Sequence, residues 1–563
     1  MPERLKRVLP LGAVLALALA LRLWGLAFGL PLVSNLYVRP DESLIVAPAA
    51  RFFETAGYPG SLDYPTLLMA VCSALFQAYF GLAHALGWTQ APDMLADFIR
   101  QSSPYWLIAR GVSAVAGTLT TLLVFLIARR LFAPGAALLA ALFYATAPLA
   151  VRDAHFATTD NLLTLLLAAA LYAAVRFLET EQGSLWPAAL LLGLAASTKY
   201  AAWLLLPALM AAALLKTPRR IPWRLCLLLA VPAAVFALVN PYTAARWHDF
   251  TALMSRILRI FYLHQPGDAP WTVAGAFGQI WMPLRYGPGA VPGLVFCAVG
   301  LVWPLKAPGS RSKKCVLALA GLSFLLAIFL FRHAVPYRYV LPALPAVAVF
   351  AGQGALLVAG LTRRAWLPVL LGVAVAAPGA WKSVSMDRLL TRADTRTLAG
   401  RWIEDHVAAD VPIVLLGGPE CEPQVPETAA SIERRMRYVE RLYGNAAGEV
   451  ISIPYRLQLR GLETGKRRGY EVFRNPGAPP PGRTVLVVTP HYPLGMTKFS
   501  PGALQAYSGR TLRSVEITSL SGDWEDFELD RIDAFFLPWS GLESVTRPGP
   551  NIRLWLVTPE PRP

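Results

Sequence analysis

Between Val8 and Trp381 the chain repeats one pattern, long apolar runs punctuated by short basic clusters. The runs lie near 8–32, 66–87, 105–128, 134–151, 157–177, 184–215, 222–239, 289–305, 315–331, 340–358 and 365–381. A run of about 20 apolar residues matches the thickness of a bilayer's hydrocarbon core, and lipid offers the backbone no hydrogen-bond partner, so such a run folds as a helix. With 55% hydrophobic and only 15% charged residues, the whole composition follows this pattern, against about 25% charged in a soluble domain. The expected fold class is a polytopic α-helical membrane protein. The first run follows Arg4, Lys6 and Arg7 and is too long for a cleaved signal, so it reads as a retained helix.

The net charge of +17 would suit nucleic acid if it formed a stripe, but the basic residues sit between apolar runs, where they orient a chain in the bilayer. No nucleic-acid partner is expected; membrane lipids are. The run at 66–87 decides the topology. If it crosses, and the N-terminus is cytoplasmic, Arg129-Arg130, Lys216 with Arg219-Arg220, Lys306 to Lys314 and Arg363-Arg364 all fall outside. If it lies on the surface, all of them fall inside, as the positive-inside rule prefers. The run 184–215 is too long for one span and is split by Ser197-Thr198-Lys199-Tyr200. Reading it as two short helices gives about 11 transmembrane helices, with an outer loop at 33–104 and the C-terminus outside.

From about Asp387 charged residues become frequent and the apolar runs shorten to strand length. Strand-like stretches at 412–416, 484–488, 532–537 and 552–557, with helices after Asp394 and at 431–443, predict a C-terminal soluble α/β domain. The expected division is 1–382 for the membrane domain and 383–563 for the soluble one. The five cysteines (72, 226, 297, 315 and 421) include no Cys-x-x-Cys pair, which points to neither a disulfide framework nor a cysteine zinc site.

On this topology one face of the membrane collects the residues that carry chemistry. Asp41 and Glu42 follow the first run at the water–lipid boundary, where a carboxylate can ionise and accept a proton. The alternative is a helix-capping role. Asp160 opens the run at 157–177, where either function or the helix dipole accounts for it. Lys199, inside the split run, can hold a phosphate, pair with Asp160 or Asp153, or snorkel. Arg332, His333, Tyr337 and Arg338 join two spans and offer guanidiniums to an anionic headgroup, or form an interfacial belt. His155, Asp160 and Asp41 are chemically suited to a divalent cation, but no metal-motif spacing relates them, so none is required and the question stays open.

The order of these features resembles a known family. Asp41-Glu42, Asp63-Tyr64-Pro65, Arg110 in Ala109-Arg110-Gly111, Thr159-Asp160-Asn161, Thr198-Lys199-Tyr200 and Arg338-Tyr339-Val340-Leu341-Pro342 look like the GT-C glycosyltransferases. The similarity is to the protein mannosyltransferase and lipid A aminoarabinose transferase type (glycosyltransferase family 39), over roughly 8–381. The resemblance implies inverting transfer of a sugar from a polyprenyl-phosphate donor to an acceptor at the outer face. It also implies Asp41 as catalytic base beside Glu42, Asp160 as a second acidic position, and Lys199 with the 332–338 loop facing the lipid phosphate. Asp63, Tyr64, Arg110, His155 and Tyr337 would support them. The doubled proline common in the family is absent after Tyr64, and the acceptor is left open.

Two other readings compete with transfer. A proton-coupled transporter or lipid flippase would bury its ionisable groups near mid-span, whereas here they cluster at segment ends. A non-catalytic scaffold would leave their gathering on one face unexplained. A bacterial inner membrane, with a cytoplasmic N-terminus, is the expected location.

Overall fold

The computed structural model describes residues 3–32, 40–60, 62–180, 183–216, 221–262, 271–303, 310–332, 335–362, 364–418, 421–437, 455–456, 458–459, 462, 469–474, 483–491, 501–505, 507, 509–520, 524–530 and 537–559. Among these, seven helices are long and apolar enough to cross a membrane, and five shorter apolar helices accompany them. The chain divides into two compact units.

The first unit comprises Met1–Trp24, Leu62–Val71 and Arg110–Val384. Among the described helices long enough to cross a membrane, the segment ending at Gly360 is the most enclosed, and most side chains of Leu344–Gly360 are buried. In lipid, helices gain little by burying apolar surface against one another, so close backbone packing through small residues holds them. A Cβ on Gly354 would stand 1.9 Å from Phe296 O, and one on Gly300 would stand 2.1 Å from Phe350 O, so Ala290–Val302 and Leu344–Gly360 touch through their backbones. On another face of the central helix, a Cβ on Gly352 would meet Ala136 O at 2.4 Å in the helix Pro134–Ala145.

The long run at 184–215 is divided as its sequence suggested. Helix Trp186–Ala196 stops, Lys199 is extended (φ −155°), and a 3₁₀ turn at Tyr200–Leu205 leads into Leu206–Lys216. Ser197 and Thr198 help end the helix by donating their hydroxyls back to Gly193 O and Leu194 O. The run at 66–87, placed on the surface by the positive-inside argument, is the helix Leu67–Ala85, which has the length and composition of a crossing helix.

The second unit comprises Gly25–Ser61, Cys72–Ala109 and Ser385–Pro563. It groups parts of the expected outer loop with the C-terminal region rather than with the spans. Helix Pro40–Arg51 starts on a proline, whose missing N–H costs nothing at that position, and carries Asp41 and Glu42 in its first turn. The buried Asp97 accepts hydrogen bonds from Thr89 and, at 2.7 Å, from Tyr105.

Five strands form one sheet: β1 Ile413–Leu415, β2 Val472–Arg474, β3 Val485–His491, β4 Gly509–Ile517 and β5 Asn551–Pro559. Their order is β2-β1-β3-β5-β4, parallel among the first three and antiparallel beyond. Ile413 and Leu415 face the helix Thr395–His406 through Ala399 and Ile403, while Val414 and Leu416 join Val485 and Val487 on the other face. Period-two alternation with both faces covered explains why these strands read as unbroken apolar runs. The expected strand at 532–537 lies outside the described residues except for Leu537; of the expected helix at 431–443, residues 431–437 are helical and 438–443 lie outside the described residues. At the end of β2, the half-buried Arg474 and the buried Arg435 pack against Glu422 and Glu427, with Arg474 Nε 2.8 Å from Glu422 Oε1.

Candidate functional site

Within the first unit, the sequence between the helices Pro134–Ala145 and Thr159–Glu179 is buried throughout. It contains the short helix Pro148–Asp153 and a connection ending at Thr158, whose extended backbone (φ −109°) starts the next helix. Asp160 therefore stands in the first turn of a 21-residue helix, where the macrodipole favours a carboxylate.

Two cations from distant parts of the chain close on it. Lys199 Nζ donates to Asp160 Oδ1 at 2.7 Å, and Arg338 Nε lies 3.5 Å from Asp160 Oδ2. The ammonium also sits 4.5 Å from the centroid of the Tyr339 ring, a cation–π contact that holds it from a third side. Arg338 and Tyr339 belong to the 3₁₀ turn Tyr337–Ala343, at the start of the central helix. The side chains of Asp160, Arg338 and Lys199 are 4%, 7% and 15% exposed, so this is a nearly buried group of two cations around one carboxylate. Beside Asp160, Thr158 Oγ1, Thr159 Oγ1 and Asn161 Nδ2 are buried and make no hydrogen bond among the described residues, although buried polar atoms ordinarily have one.

The other sequence candidates stand elsewhere. Asp153 pairs with Arg152 at 3.0 Å, both buried. His155 is buried with Nδ1 and Nε2 each 2.9 Å from a carbonyl, of Val151 and Trp24 respectively. Arg110 is fully buried in the helix Ser103–Leu131. Asp63 forms an ion pair with Arg256, and Tyr64 beside it is half-buried. Arg332 is exposed and lies 5.7 Å from the centroid of the Trp271 ring, while Tyr337 is half-buried. His333 lies outside the described residues. Asp41 (half-buried) and Glu42 (fully buried) belong to the other unit. Among the described residues no three His, Cys, Asp or Glu side chains gather as they would around a metal ion.

Three contributors had not been singled out. Tyr339 lies next to a flagged arginine, but only the fold sets it under Lys199. Arg256 forms its pair with Asp63 across 193 positions. Arg22, fully buried, donates to Ala18 O at 2.9 Å and Ala145 O at 3.1 Å; a lone arginine deep in an apolar run was the available signal.

The region that supplies Asp160 and Lys199 has a known counterpart. Residues 106–247 match the family of dolichyl-phosphate-mannose-protein mannosyltransferases. Solved structures of GT-C glycosyltransferases are also similar. One is ArnT from Cupriavidus metallidurans bound to undecaprenyl phosphate, at 15% identity over 99% of each chain, with a TM-score of 0.47. A second is the archaeal oligosaccharyltransferase AglB from Archaeoglobus fulgidus, in complex with an inhibitory peptide and a dolichol-phosphate. It is 12% identical over 73% of this chain and 62% of that one, with a TM-score of 0.44. A third is the S. cerevisiae protein O-mannosyltransferase complex Pmt1-Pmt2 bound to the sugar donor, at 18% identity over 44% of this chain and 34% of that one, with a TM-score of 0.33. No curated protein matches the chain in sequence.

Proposed function

We propose that this chain is a membrane glycosyltransferase that moves a sugar from a polyprenyl-phosphate carrier to an acceptor at the outer face of a bacterial inner membrane. The observation that carries this reading is the convergence of Lys199 and Arg338 on Asp160, with Asp160 and Lys199 both inside the segment that matches the mannosyltransferase family.

The chemistry asks for two things. The bond between the sugar's anomeric carbon and the phosphate oxygen must break, leaving a second negative charge on the lipid phosphate. A group must also take the proton of the incoming hydroxyl or amine as its oxygen or nitrogen bonds to that carbon. Two cations fixed by a buried carboxylate and a tyrosine ring meet the first demand, because they are already oriented when charge develops. In this reading Asp160 anchors the cations, since each of its oxygens faces one of them. Arg338 offers a planar fork to the phosphate and Lys199 a point charge. Asp41 is the base, with Glu42 beside it. The unpaired Thr158, Thr159 and Asn161 groups supply polar partners for a ligand.

The test is single-turnover transfer by the purified chain in lipid, with a panel of radiolabelled polyprenyl-phosphate sugars, comparing wild type with Asp41→Asn. Sugar transfer that disappears in the variant supports class and base together. Failure with every donor, alongside proton-coupled uptake in the same vesicles, would replace the transferase by a transporter.

A further inference from the structure

The helix Trp247–Tyr262 follows the helix Ile221–Val239 in the first unit and is distinct from the Asp160 group. Its sequence, WHDFTALMSRILRIFY, resolves into three stripes. At 100° per residue, Phe250, Leu253, Met254 and Ile257 share one face and are buried or half-buried. His248, Ala252, Ser255, Arg256 and Arg259 share the opposite face and, with Thr251, line a cavity of about 400 Å³. Between these faces, along one edge, Trp247 and Leu258 are 58% and 57% exposed.

The charges on the polar stripe do not cancel. Arg256 is matched by Asp63, and Arg246 lies 3.8 Å from Asp249 across one turn. Among the described residues Arg259 has no acidic partner, and those that line the cavity include no acidic side chain. An anion is therefore the fitting occupant. The neighbouring edge decides which kind. A water-borne phosphate would gain nothing from an exposed tryptophan and leucine, whereas a phospholipid has an anionic headgroup joined to apolar chains, matching a cationic stripe beside an apolar edge on one helix.

We infer that the stripe formed by His248, Ser255 and Arg259 binds the headgroup of an anionic phospholipid, whose chains lie along Trp247 and Leu258.

The test uses the full chain in phosphatidylcholine vesicles containing increasing fractions of brominated phosphatidylglycerol or brominated phosphatidylcholine. The emission of Trp247 is taken as the difference between the protein and its Trp247→Phe variant. Half-quenching is expected at about a fivefold lower fraction of the anionic lipid, the worth of one basic residue at an anionic surface. Arg259→Gln, at an exposed position, should bring the two curves together while leaving the far-ultraviolet circular dichroism unchanged. Equal half-quenching by both lipids in the wild type would overturn the inference. So would an anionic preference that survives in a His248→Gln, Arg259→Gln double variant, or one abolished by millimolar inorganic phosphate at constant ionic strength.

Discussion

Lys199 Nζ lies 2.7 Å from Asp160 Oδ1, across 39 positions of sequence and at the ends of two different helices. Removing Asp160 takes the carboxylate from two nearly buried cations at once, whereas removing Lys199 leaves it with Arg338, so the two losses overlap in part. Lys199→Gln and Asp160→Asn should each lower the thermal unfolding midpoint in lipid. The double variant should lose less than the sum, with a coupling of about 0.5–3 kcal/mol. Strict additivity would show that the pair carries no energy of its own.

Asp41 sits in the first turn of Pro40–Arg51, half-buried beside the fully buried Glu42. Replacing it with asparagine keeps the shape and removes the proposed proton acceptor. Transfer should fall by about 10²–10⁴, with unchanged membrane insertion measured by alkaline extraction. Normal turnover in this variant would take the base assignment away from Asp41.

Acid should weaken the sheet of the second unit in two stages. Burial and Arg553 push the His491 imidazole below its ordinary 6.5, against the opposing pull of Glu516. The unfolded chain then takes up that proton first, and stability declines as pH falls through about 6.5. Burial alone would raise Glu427, but Arg474 and Arg435 outweigh it and hold the carboxyl below its ordinary 4.5. Its stabilisation is complete above that value and is lost as pH falls from there through the folded value. Exchange protection of the β3 and β5 amides, corrected for intrinsic rates, should decline in both windows. His491→Gln should flatten only the upper one; an unaltered upper limb would remove His491 from the account.

The backbone contact at Gly354 leaves no room for a methyl group. Gly354→Ala should cost about 1–3 kcal/mol through overpacking, because the obstacle is the Phe296 carbonyl rather than a flexible side chain. Gly12→Ala, where nothing lies within 4 Å of the new Cβ, should instead stabilise its helix by about 0.5–1 kcal/mol. Thermal unfolding of the two variants, one falling and one rising, checks the contrast.

The proposed orientation is read by thiol labelling in a background without the native cysteines, since Cys226 and Cys315 are exposed. Gln101→Cys, exposed in the expected outer loop, should react with an impermeant reagent in intact cells. Leu361→Cys, 76% exposed beside a basic cluster, should react only after permeabilisation. The reverse pattern would invert the topology.

Much of the architecture was legible because lipid simplifies the code: long apolar runs become helices, and Ser197-Thr198-Lys199 interrupts one of them as its polarity demands. In the sheet, β1, β3 and β5 announced themselves as apolar runs. β2 did not, since Arg474 follows only two apolar residues in it, and neither did β4, whose Arg510, Thr511, Arg513 and Glu516 give it little apolar content. At the site, the sequence offered Lys199 a choice between Asp160 and Asp153. The structure gives it Asp160, while Asp153 pairs with Arg152 one residue earlier. The Tyr339 ring under Lys199 and the Arg256–Asp63 pair depend on which helices are neighbours, and no local pattern encodes that.

The stretch around Asp63 and Thr66 has a further consequence, for the order of assembly. Leu62 O accepts from the Tyr200 hydroxyl at 2.6 Å, Leu67 N donates to Ser197 O at 3.0 Å, and Thr66 N donates to Asn240 Oδ1 at 2.8 Å. The last of these partners follows 174 positions later. At about 5–20 residues per second of synthesis, roughly 9–35 s separate the emergence of Thr66 from that of Asn240. Throughout that interval the early stretch must satisfy its backbone with water, so it takes its final form only after the helix ending at Val239 has been delivered to it.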